Sequence, residues 1–150
     1  MATIMTNRRN VIKNNFIKYI LLFFVGGYSY CGIEILSRGY SHISMLIAGG
    51  ICFIAIGLLN ETSDERLSFI SQMVMSSVII TTVEFLTGLI VNVWLGLHVW
   101  DYSDKPYNVM GQICLLYALL WFLLSPVAIV ADDYLRYWLM GERKPHYKFL

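Results

Sequence analysis

Glu84 lies near the middle of a long apolar run from Phe69 to Leu97. An ionised carboxylate at that depth needs a partner, water or a change of protonation state, because hydrocarbon does not solvate charge. On a helix advancing about 100° per residue, Ser77, Thr81, Glu84, Gly88 and Asn92 share one narrow sector, with Ile79, Val83, Leu86 and Ile90 on the far side. Two chemistries fit such a polar stripe. It lines a substrate or proton path, with Glu84 alternating between charged and neutral forms. Alternatively it is glue, with a neutral Glu84 hydrogen-bonding across a helix interface and Gly88 allowing close approach.

A second polar group stands at the far end of the first apolar run. Glu34 and Arg38 are one helical turn apart and can pair, and His42 follows closely. The alternative is that Arg38 turns inward to neutralise a carboxylate elsewhere. His98 could join this group as a pH-sensitive residue or simply meet solvent. The third group is the loop HVWDYSDKPYNVMGQ, from His98 to Gln112. Trp100, Tyr102 and Tyr107 fit an interfacial aromatic belt. Asp101 and Ser103 favour a turn, Pro106 fixes a backbone angle, and Asn108 is placed to cap a following helix. An ordered turn explains these residues, and their density also suits a recognition surface.

Catalytic constellations are missing from the sequence. It has no paired-aspartate protease arrangement, no His-Glu-x-x-His motif, and no serine or cysteine with an evident base. Asp132 and Asp133 are neighbours, so a helix points them in different directions. Cys31, Cys52 and Cys114 lie in apolar segments without paired spacing, which suits packing rather than metal or redox work. We therefore expect no enzyme activity, metal or cofactor. A formal charge of +1 and the absence of an aromatic and basic surface pattern argue against nucleic-acid binding.

The elements that must position these groups follow from hydropathy. With 57% hydrophobic and 14% charged residues, the 150-residue chain suits lipid better than water. Four stretches of nearly 20 apolar residues or more predict an all-α bundle of transmembrane helices at about 16–36, 43–59, 69–97 and 113–131. The second is the shortest, and its Gly49 and Gly50 suit close helix packing. The short link from Ser37 to His42 predicts an antiparallel hairpin. Residues 1–15 form a basic N-terminal segment, 16–131 the membrane domain, and 132–150 a tail. Tyr30 before Cys31 is too bulky for a signal cleavage or lipidation site, so the first segment is expected to be retained.

Lysine and arginine resist translocation. With the N-terminus inside, Arg8, Arg9, Lys13, Lys18, Arg66, Arg136, Arg143, Lys144 and Lys148 are cytoplasmic, leaving Arg38 and Lys105 outside. This bias predicts four spans with both termini inside. Thr62 and Glu65 fit a capping box at the start of the third helix, which would run from Ser63 to Leu97, roughly 50 Å at 1.5 Å per residue. Pro126 is expected to kink the fourth span. Beyond Asp132, apolar Tyr134, Leu135, Trp138 and Leu139 alternate with Asp133, Arg136 and Glu142, an amphipathic pattern that predicts a segment resting on the inner membrane surface.

Trp100, Asp101, Tyr102, Ser103, Pro106, Asn108, Gly111, Ile113 and Cys114 together resemble the signature of the bacterial ABC-transporter type IV membrane family. The stretch holding Glu84, Gly88 and Asn92 is also similar to it, while Asp104 stands where asparagine is more usual. The resemblance implies a multi-pass bacterial inner-membrane protein with a role in transport. No G-x-x-x-x-G-K-[ST] phosphate loop is present, so an ATPase would have to be a separate partner. Two functions follow as expectations. One is a small permease-like component, oligomeric because four helices enclose little space. The other is a non-catalytic accessory or assembly subunit that binds other membrane helices.

Overall fold

A computed structural model describes residues 14–62 and 67–149. Arg8, Arg9, Lys13, Glu65 and Arg66 lie outside the described residues, as does the side chain of Thr62. Helix α1 spans Asn15–Arg38, α2 Ile43–Thr62, α3 Phe69–Gly88 and α4 Leu115–Met140. A π-helical stretch, Leu89–Trp94, extends α3. A small antiparallel ribbon pairs β1, Asn108–Val109, with β2, Ile113–Cys114. Among the described residues the regular structure is thus helical apart from this ribbon. Three helical stretches among them are long and apolar enough to cross a membrane: Asn15–Arg38, Phe69–Trp94 and Leu115–Met140. The apolar part of α2, Ile43–Leu59, is shorter.

The helices run alternately between two ends. The loop end carries Arg38, His42 and the 98–112 segment, and the basal end carries Lys18, Glu61, Phe69 and Met140. Broad packing joins α1 to α2 and α3 to α4, and α2 also touches both α3 and α4. The first pair forms the predicted hairpin because glycines remove the side chains that would separate it. A Cβ on Gly26 would collide with Phe53 Cβ, and one on Gly49 would sit 2.5 Å from Tyr30 Cβ. The turn begins where Gly39, at φ +83°, caps α1 through its N–H to the Ile35 carbonyl.

Helix starts differ from expectation in two places. α2 continues to Thr62, so that residue ends the second helix, and Ser68 caps the third by accepting from Ser71 N. The third helical run therefore begins at Phe69 and, through Trp94, is about 39 Å long at 1.5 Å per residue. Asn108 does not cap α4. It lies in β1 and braces the loop, donating to the Lys105 carbonyl at 2.8 Å and accepting from Gly111 N at 3.1 Å. The two residues read as the start of the fourth span, Ile113 and Cys114, form β2 instead.

α4 contains Pro126 and continues past it to Met140. The surface-lying segment expected after Asp132 is replaced, as far as Met140, by the last turns of this helix. Its amphipathicity is inverted: Asp132, Asp133 and Arg136 are buried, and Trp138 is 59% exposed. Charged partners across the bundle explain the inversion, since Glu61 and Lys18 meet this face and supply what water would otherwise supply. The following residues fold back against α3. The Lys148 carbonyl accepts from Phe69 N at 2.6 Å, and Tyr147 and Phe149 pack edge-on against the Phe69 ring. That bond satisfies one of the free N–H groups at the start of α3.

Candidate functional site

Glu84 is 3% exposed, and both carboxylate oxygens have donors. Tyr102 in the loop donates its hydroxyl to Oε1 at 3.1 Å, and Trp121 in α4 donates Nε1 to Oε2 at 2.9 Å. Two aromatic stacks hold those donors in place. Tyr102 stacks on Tyr117 with centroids 4.6 Å apart, and Trp121 on Tyr30 at 5.3 Å. Burial pushes the Tyr102 phenol well above its ordinary pKa, reinforced by the charge of Glu84 and by the hydrogen bond itself. Tyr102 thus remains a proton donor throughout the physiological range.

One turn further along, Gly88 admits the loop. A Cβ there would lie 2.6 Å from Gln112 Oε1 and 3.0 Å from the Trp100 ring. The Trp100 indole donates to the Gln112 carbonyl at 2.9 Å. Asn92 completes the contact by donating from Nδ2 to Gln112 Oε1 at 2.8 Å and accepting from Val99 N at 2.7 Å. The π-helical stretch makes this geometry available: its wider turns leave both Val91 and Asn92 buried beneath the loop. The loop is itself cross-braced. Asp101 Oδ1 accepts from Ser103 N and Oγ at 2.8 and 2.5 Å, which holds the Asp101 carboxyl below its usual range. Gly111 adopts φ +68°, and a Cβ there would press on Ser103 Oγ and Asp101 Oδ1. Pro106 follows Lys105 in the same turn, and Tyr107 is 81% exposed.

The structure therefore joins two groups that the sequence presented separately. Glu84, Gly88 and Asn92 are the floor of the site, and Trp100, Tyr102 and Gln112 are its cover. Ser77 and Thr81 stand at the edge of the stripe, where Ser77 donates to the Ala118 carbonyl at 2.8 Å. The fully buried line on α3 instead runs through Gln72, Ser76, Ile80, Glu84 and Gly88, every fourth residue. A straight-axis projection tracks a 3.6-residue period, whereas ridges at i, i+4 follow the neighbouring helix. The difference accumulates toward the start of α3, so Ser76 lies inside where Ser77 was expected.

The third expected group is only partly assembled. Arg38 pairs with Glu34 at 2.6 Å, donates to the Val99 carbonyl at 3.0 Å and lies over the Tyr40 ring. Glu34 also accepts from Ser41 Oγ at 2.6 Å. His42 lies close to Glu34 but makes its hydrogen bonds elsewhere: its Nδ1 meets Ser44 Oγ and accepts from Ser44 N at the start of α2. His98 is exposed. Arg38 thus ties the Glu34 group to the same loop that covers Glu84.

Sequence reasoning missed the polar cluster at the basal end. Arg136, 2% exposed, donates Nε to Asp132 Oδ2 at 2.6 Å and pairs with Glu61. Lys18 binds Glu61 at 2.8 Å and also pairs with Glu142. Tyr147 donates to Asp133 at 2.9 Å, and burial followed by the Asp133 charge raises its phenol pKa. The i, i+4 spacing of Asp132 and Arg136 was the available signal, but contacts with Glu61 and Lys18 are long-range. Among the described residues, no group of three His, Cys, Asp or Glu side chains is placed to hold a metal ion.

No curated protein and no solved structure matches the chain. A family match does cover residues 7–138, which include the covered glutamate, the loop and the Asp132–Arg136 pair. The chain belongs to the family described as Putative ABC-transporter type IV, and its long apolar helices are those of a membrane protein.

Proposed function

We propose that the chain is a non-catalytic, membrane-embedded subunit of a transport assembly, in which Glu84 latches the loop across one end of the helix bundle. The observation that carries this reading is the paired donation from Tyr102 and Trp121 to Glu84. Each carboxylate oxygen accepts one of these bonds, and together they tie the loop and α4 to α3. The bundle crosses the membrane four times, with both termini and the basal end in the cytoplasm. Alternating helix directions and the nine-to-two division of basic residues support that orientation. In a bacterium this places the protein in the cell membrane. It works beside further copies or other membrane subunits, with a separate ATPase as energy source, since the chain has no phosphate loop of its own.

Hydrogen exchange of residues 98–112 in the purified protein tests the latch. Glu84→Ala should release the loop amides and reduce recovery of co-purifying subunits from native membranes. Unchanged protection and recovery would sink the reading. A second reading makes the stripe part of a permeation path. It is favoured by Ser76 Oγ and Thr81 Oγ1, which are buried without hydrogen-bond partners among the described residues. Under it, Ser76→Ala with Thr81→Val should reduce ion flux in proteoliposomes while leaving loop protection intact. Under the latch reading the same variant leaves both unchanged.

A further inference from the structure

Two cavities lie near one another, one beside the middle of the bundle and one at its basal end, and their chemistries differ. The first, about 160 Å³, is a cleft lined by Tyr30 and Ile33 of α1, Cys52 and Ile56 of α2, and Trp121 and Ala131 of α4. Its rim includes Val127, 67% exposed, so it opens on the apolar outer surface of the helices. The second, about 480 Å³, is polar and is lined by Gly57, Glu61, Asp133, Arg136, Arg143 and Lys144. The linings come close along the chain, since Ile56 of the cleft precedes Gly57 of the chamber and Ala131 of the cleft lies two residues before Asp133. An apolar slot open to lipid thus stands next to a charged chamber at the helix ends.

The chamber's charges are unevenly engaged. Glu61 and Glu142 are paired with Lys18 and Arg136, and Asp133 accepts from Tyr147. Arg143 and Lys144 make no ion pair among the described residues. Arg136, although buried, has Nη2 without a hydrogen-bond partner among the described residues. The donors left for a ligand are therefore cationic, Arg136 on α4 and Arg143 and Lys144 on the segment after it, all three lining the chamber. A phosphate suits them, because guanidinium and ammonium groups donate charge-assisted hydrogen bonds to its oxygens.

We propose that these cavities form one binding site for a membrane phospholipid. One acyl chain lies in the cleft between α1 and α4, and the phosphate sits in the chamber against Arg136, Arg143 and Lys144. Hydrocarbon in the cleft supplies the contacts its apolar walls lack when empty. The acidic groups in the same chamber suit a phosphate accompanied by an ammonium group.

The test is native mass spectrometry of the full chain, delipidated in mild detergent and titrated separately with phosphatidylethanolamine, phosphatidylglycerol, diacylglycerol and inorganic phosphate. A one-to-one phospholipid adduct is expected, with diacylglycerol binding at least about tenfold weaker. Arg143→Gln with Lys144→Gln, both on exposed side chains, should weaken the phospholipid adduct similarly without changing the size-exclusion profile. Ala128→Phe, which fills the cleft, should abolish it. A photoreactive acyl chain should label residues 121–131, giving a readout in the unmutated protein. Equal binding of phospholipid and diacylglycerol, indifference to the double substitution, or labelling elsewhere would overturn the proposal. Competition by millimolar phosphate alone would reduce the site to an ion site and also overturn it. Occupation of the cleft by a second copy, seen as dimers that exclude lipid, would do the same.

Discussion

The two ends of the bundle bury acidic side chains by opposite means. At the loop end Glu84 is held by neutral donors, one phenol and one indole, fixed by stacked rings. At the basal end buried Asp132 and its neighbour Glu61 are held by cations, with Arg136 and Lys18 shared among three carboxylates, Asp132, Glu61 and Glu142. A neutral cover can leave without abandoning a counter-ion, whereas the basal network cannot lose a member without exposing a bare charge to a poor solvent. The contrast separates a part suited to opening from a part suited to anchoring.

The comparison breaks most strongly at Arg136. Arg136→Met leaves Asp132, fully buried, without its cation, a loss of about 3–5 kcal/mol. A thermal unfolding assay in detergent should show this, and adding Asp132→Asn should recover much of the stability. A smaller effect is expected at Gly88, where Gly88→Val drives a side chain into Gln112 and Trp100 at a cost of about 1–3 kcal/mol. Its signature is faster proteolysis of the loop with the basal end unaffected. Trp100→Phe removes the indole bond to the Gln112 carbonyl, about 1 kcal/mol, together with part of a buried ring, and should raise amide exchange across the loop rather than at the basal end. The mildest test is acidification. Asp101 has a folded pKa below its unfolded value, so its contribution is present above the unfolded pKa and fades as pH falls through the folded one. Amide exchange at Ser103 should therefore rise in that acidic window, and Asp101→Asn should show the same rise at neutral pH.

The apolar runs made the helices legible, because lipid-facing surfaces need little more than length and hydropathy. The ends were less legible. Thr62 and Glu65 carried the local pattern of a cap, yet α2 continues through Thr62 and Ser68 starts α3. Such signals compete within a few residues, and tertiary contacts decide between them. The Asp132–Arg136 face has the pattern of an interfacial helix, and only the arrival of Glu61 and Lys18 across the bundle turns it inward. Glu84 stood out by its setting, whereas its donors did not. Tyr102 reads equally well as a belt aromatic, and Trp121 as a lipid anchor. Which ring meets the carboxylate depends on the fold of a loop fixed by Gly111, Asn108 and the Asp101–Ser103 turn.

The π-helical turn at Leu89–Trp94 has a bearing on chain length. A π turn holds one residue more than an α turn, so this stretch stores a residue that ordinary helix geometry does not need. Removing one residue between Gly88 and Asn92 would let the helix close into regular α form, and the residues beyond it would keep nearly the same face, because the wide turn is what absorbs the extra residue. The contact between Asn92 and Gln112 would survive, whereas the same deletion in the regular part of α3 would rotate everything beyond it by roughly 100°.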